Sequence, residues 1–104
     1  MAILILYINL RIVVLNATLV GNSWHRGVID ESMGAGQYSV LYIDSNDVSH
    51  IAYYANNQMS LKYAFFRNDV WEISTVDILD NVGIYSSIEI NSNSDIHINY
   101  YNAS

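Results

Sequence analysis

Two histidines, His50 and His97, stand 47 residues apart, and each follows a short turn, Asp44-Ser45-Asn46-Asp47 or Asn91-Ser92-Asn93-Ser94. An imidazole beside a carboxylate is the usual equipment of an acid–base or metal site. Asp30 and Asp77 form a second pair at the same separation, and paired carboxylates are what glycoside hydrolysis requires. Tyr38 and Tyr85 are a third pair; with His50 and His97 they are the candidate ligand-binding residues. Trp24 and Trp71, with Tyr53-Tyr54 and Tyr100-Tyr101, could offer aromatic platforms to a sugar or peptide. Yet an active site needs one copy of each group, whereas these residues recur once per period. Recurrence points to structure: an imidazole bonding its turn or a neighbouring sheet, carboxylates in the scaffold, and aromatics packing sheet on sheet. His25 has no counterpart and is expected to be exposed. The Asp44–Asp47 turn is too short for a calcium loop. No catalytic residue, metal or cofactor is assigned.

The elements that position these residues follow from the same spacing. Residues 24–57 laid on 71–104 give 12 identities in 34 positions without a gap, several times what chance supplies. Internal repetition at this period fixes architecture before anything else does. β-rich runs bounded by Asn, Asp, Ser and Gly predict strands over Trp24–Asp30, Tyr38–Asp44, Ser49–Tyr54 and Ser60–Phe66. In the second period they predict Trp71–Ile78, Tyr85–Asn91 and Ile96–Tyr101. Connections this short join antiparallel neighbours. The division is 1–23, a degenerate partial repeat or apolar leader; 24–70, repeat 1; and 71–104, an incomplete repeat 2. Leu41/Ile43 and Ile88/Ile90 read as the core face of their strands, and Tyr38/Val40/Tyr42 and Tyr85/Ser87/Glu89 as a mixed face.

Composition agrees with an all-β chain. It is 52% apolar and only 13% charged, with nine tyrosines, which suits sheets covered on both faces. Ten acidic residues against four scattered bases leave a net charge of −6, so nucleic acid, which demands clustered Lys and Arg, is not expected as a partner. The absence of cysteine excludes disulfides and leaves the compartment open, with an extracellular or cell-surface setting slightly favoured. Sequons at Asn16 and Asn102 matter only for an exported chain. The apolar stretch from Met1 to Val20 admits three readings: a strand continuing the repeat, an export signal or anchor, or a start assigned too early. The strand reading is preferred. No basic residue precedes the apolar run, and Asn9, Arg11 and Asn16 interrupt it. A membrane is therefore not the expected partner. Tyr7 falling on Tyr54 and Ala17 on Ala64 support the same choice.

The run Trp71-Glu72-Ile73-Ser74-Thr75-Val76-Asp77, then Val82-Gly83-Ile84-Tyr85-Ser86-Ser87, resembles a propeller-type repeat found in many bacterial and archaeal proteins. So do Asp44-Ser45-Asn46-Asp47 leading to His50-Ile51-Ala52-Tyr53-Tyr54, and Leu61-Lys62-Tyr63-Ala64. The likeness spans roughly residues 24–104. Asp47 and Ser94 depart from it by standing where the repeat has a turn glycine, and Ser49 and Ile96 stand where it has proline. The resemblance implies a fold and no activity.

The fold expected is thus all-β: antiparallel four-stranded meander repeats, two blades of a β-propeller-like array. The last two strands would lack two outer partners, which a second copy in a head-to-tail oligomer, or further chain, would supply. The function expected is a non-enzymatic repeat module giving a scaffold or binding surface for protein or carbohydrate. The alternative is a remnant of a propeller-type glycosidase or lyase.

Overall fold

The computed structural model describes residues 2–8, 11–30, 35–55, 59–78 and 82–102, and among these there is no helix. The described residues form nine strands: β1 (Ala2–Ile8), β2 (Arg11–Val20), β3 (Ser23–Asp30), β4 (Ala35–Ile43), β5 (Ser49–Ala55), β6 (Ser60–Arg67), β7 (Val70–Asp77), β8 (Val82–Ile90) and β9 (Ile96–Asn102). All pairing is antiparallel between sequence neighbours. It forms sheet A from β1-β2-β3, sheet B from the meander β4-β5-β6-β7, and sheet C from β8-β9. Each Trp-led strand closes the sheet before it, so the complete sheet runs over 35–77.

The 47-residue period reappears in the pairing itself. Every one of the six partners between β4 and β5, from Ala35↔Ala55 to Ile43↔Ser49, has its counterpart between β8 and β9, bulges included. The seven partners between β2 and β3 likewise match those between β6 and β7, down to the bulge after Val14 and after Leu61. Sequence identity is low over β2 and β6, so this agreement is set by turn geometry and side-chain alternation rather than by residue type. Gly21 and Asn68 open the two β-hairpins with φ of 61° and 52°, the left-handed start that two-residue turns require.

β1 breaks the period. The repeat would set Tyr7 opposite Val14, as Tyr54 lies opposite Leu61; instead Ile5 holds that place. Ile8 pairs with Arg11, leaving two residues between them, where Ala55 and Ser60 leave four. β1 is thus offset by two residues from the register of β5, a shift that preserves strand alternation.

The sheets are layered, with B in the middle. Ile29 of sheet A packs with Ile51, Tyr53 and Ala64 of B, and Trp71 leans on this cluster. On the other face of B, Ala52, Leu61 and Tyr63 meet Ile88 of sheet C, flanked by Val40, Tyr42, Phe65 and Ile98. Every residue of β5 is buried, as a central strand covered on both sides must be. This layering corrects two expectations. The mixed face of β4, Val40 and Tyr42, is packed between B and C, whereas Ile43, on the expected core face, is exposed. The tryptophans also differ: Trp71 is half-buried against sheet A, but Trp24 is 59% exposed. Trp24 occupies the same position in sheet A, whose corresponding face has no sheet upon it among the described residues.

Candidate functional site

The chemistry-bearing residues fall into three constellations, each built from a local rule. The first is the turn after β4. Asp44 Oδ1 accepts from the backbone N–H of Asn46 at 2.8 Å and of Val48 at 3.0 Å, while Asp44 N–H donates to the Val48 carbonyl and Asp47 N–H to the Asp44 carbonyl. Asp and Asn favour such turns because a short side chain can mimic the next peptide group. Asn91 repeats all four bonds with Asn93, Asp95 and Ser94. Asp47 and Ser94 adopt φ of 62° and 66°. Both therefore take the left-handed conformation that glycine adopts most readily.

The second constellation is a chain through His50. Its Nε2 lies 2.8 Å from Asp44 Oδ2 and its Nδ1 2.7 Å from the Tyr63 hydroxyl. The ring stacks in line with Tyr63 and Phe65 at centroid separations of 5.9 and 6.2 Å. A carboxylate cannot donate, so a neutral His50 carries its proton on Nε2 and accepts from Tyr63 at Nδ1. The His50 hydrogen bond, followed by that of the Val48 amide, holds the Asp44 carboxyl below its usual range. Burial, reinforced by the Asp44 charge, pushes the Tyr63 phenol up to about 12. The order Asp–His–Tyr resembles a proton relay, but His50 is buried and both its nitrogens are engaged. At the repeated position Asn91 replaces the carboxylate. Its Oδ1 is taken by the turn, so Nδ2 faces His97 Nε2 at 3.3 Å and His97 must accept there, with its proton on Nδ1. As neutral rings, the two histidines would therefore differ in tautomer. His97 is exposed on the outer face of sheet C.

The third constellation escaped the sequence reading. The Tyr53 hydroxyl donates to Asp30 Oδ2 at 2.6 Å, joining sheet B to the end of β3 in sheet A. The Tyr100 hydroxyl donates to Asp77 Oδ2 at 2.8 Å, joining sheet C to the end of β7 in sheet B. Both phenols are raised: Tyr53 first by burial and then by its bond to Asp30, Tyr100 first by its bond to Asp77. The signal was present, since Asp30/Asp77 and Tyr53/Tyr100 each recur at the same period. What the sequence lacked was the layer order that sets one beside the other.

Of the four candidate ligand-binding residues, His50 and His97 sit on successive sheets. Tyr38 lies at the β4 bulge with φ of 53°, towards the strand end remote from His50. The Tyr85 side chain lies outside the described residues. Tyr38, His50 and His97 do not converge on one site. The structure forms instead a cleft of about 340 Å³ between the two repeated turns, lined by Asp44, Ser45 and Asn46 on one side and Asn91, Ser92 and Ser94 on the other. Tyr42 crosses its floor, its hydroxyl donating to the Ile90 carbonyl at 3.4 Å. Among the described residues no group of three or more His, Asp or Glu is placed to hold a metal ion. No family model, curated protein or solved structure matches this chain.

Proposed function

We propose that this chain is a non-enzymatic module of a β-propeller-like array, whose turn end offers a polar binding surface to a carbohydrate or a protein loop. The observation that carries this reading is the fate of its reactive side chains. Asp44 and Asn91 hold turns, His50 is fixed between Asp44 and Tyr63, and Tyr53 and Tyr100 tie sheet to sheet. Groups held in internal hydrogen bonds in this way serve to rigidify and specify packing. A surface open to a ligand is the cleft between the turns, lined by serines and Asn46 together with Tyr42. Hydroxyls and amides around an aromatic ring suit a sugar or a polar peptide better than an apolar compound.

An array of oligosaccharides and short peptides tests the reading. The chain is expected to retain a ligand without turning it over, and Ser92→Trp, which fills the cleft from an exposed turn position, is expected to abolish retention while the β circular dichroism persists. Hydrolysis or elimination on any glycoside by the unmodified chain would overturn it, as would binding that Ser92→Trp leaves intact.

A further inference from the structure

We propose that two copies of this chain join through one shared sheet, the β2–β3 hairpin of one copy adding to the outer edge of β9 in the next. This rests on the sheet registers and is independent of the cleft.

Sheet B shows what a complete sheet is, and the first two strands of that pattern recur as β8-β9 while its last two recur as β2-β3. The halves lie at opposite ends of the stack with B between them, so no single copy can join them. The outer edge of β9 has no strand beside it among the described residues, and such an edge is a template for further pairing.

Three unequal exposures are resolved by this one addition. Ile29 is 6% exposed and its counterpart Val76 44%. Trp71 is packed on the Ile29 cluster and its counterpart Trp24 is open to solvent. Tyr53 is fully buried over Asp30, while Tyr100, over Asp77, is 39% exposed. A partner hairpin beside β9 brings its Trp24 over Val76, as Trp71 lies by Ile29, and covers the Tyr100–Asp77 bond. The register is dictated by β5 and β6: Ile51↔Ala64 and His50↔Phe65 become Ile98↔Ala17 and His97↔Thr18 across the copies.

β1 occupies the edge of β2 that this pairing needs. It is also the one strand out of phase with the period, so the partner's β9 displaces it, one seven-residue strand replacing another. The exchange exposes β1; against that, it covers Trp24, Val76 and Tyr100.

The chain lacks cysteine, so paired substitutions report the junction alone. Thr18→Cys with His97→Cys marks the repeat register, and Asn16→Cys with His97→Cys the register that β1 adopts. Within one copy, sheet B separates the two cysteines by two sheet spacings of about 10 Å each. The first pair is expected to give a ladder of disulfide-linked multimers under mild oxidation, and the second little. Light scattering of the unmodified chain should give multiples of its mass. In Trp71→Phe, the remaining Trp24 emission should shift to the blue as concentration rises. A monomer mass at every concentration, or equal cross-linking by the two pairs, would overturn the proposal.

Discussion

Asp44 shows how much one carboxylate can organise. One oxygen closes the turn by accepting from two amides and the other fixes His50, which in turn holds Tyr63. The titration of the chain's two ends follows. A phenol whose pKa is raised on folding stabilises the fold fully below its ordinary value of 10.0 and loses that contribution as pH climbs through the folded value. For Tyr63 the loss falls between pH 10.0 and about 12. Asp44 has the opposite sign: its contribution is whole above 3.8 and disappears as pH falls towards its lowered value. Urea titrations across pH should show both limbs, and Tyr63→Phe should make the alkaline one shallower, with the raised Tyr53 and Tyr100 supplying what remains; an unchanged alkaline limb in that variant would refute the assignment. The turns make a second prediction. Asp47 and Ser94 stand in the left-handed region, where a side chain costs about 1 kcal/mol relative to glycine. Asp47→Gly and Ser94→Gly should therefore each raise stability by about 0.5–1 kcal/mol in urea. The turns were legible in the sequence from Asp, Asn and Ser alone. The tautomer contrast between His50 and His97 was not, because it depends on which side-chain atoms the turn has already taken.

At the level of strands, the bounds read from alternation lie within a few residues of those found, since β-branched and aromatic runs between turn residues leave little choice. Trp24–Asp30 became Ser23–Asp30 and Ser60–Phe66 became Ser60–Arg67. Which strands share a sheet was less legible. Sequence similarity begins at a tryptophan, but a sheet begins wherever the chain leaves one layer for the next, and here that is after β3 and after β7. The faces were hidden for a related reason. Val40 and Tyr42 correspond to Ser87 and Glu89; the former pair is packed and the latter exposed, because among the described residues only sheet B has neighbours on both sides. The Tyr–Asp bonds between layers carry the prediction at this scale. Tyr53→Phe removes the donor to a buried carboxylate and should cost about 1–3 kcal/mol in urea unfolding. Tyr100→Phe, at the exposed repeat of the same bond, should move the midpoint little when measured on dilute chain. Equal effects would mean that the bonds do not act between layers as described.

Across the whole molecule, sheets B and C share one grammar, with turns closed by Asp or Asn and tyrosines reaching back to the preceding layer, and the second strand of the middle sheet is wholly buried. Several of the residues that invited a chemical reading, Asp30, Asp44, His50 and Tyr53 among them, join these parts. Their cost on removal should therefore appear in the stability of the entire fold. The most direct test is equilibrium unfolding of His50→Ala beside His97→Ala in dilute solution. The predicted result is a loss of about 2–4 kcal/mol for His50, whose removal strands a buried phenol and unseats the turn carboxylate, and less than about 0.5 kcal/mol for exposed His97. A His50→Ala chain as stable as the parent, or more so, would contradict the structural role assigned to this residue.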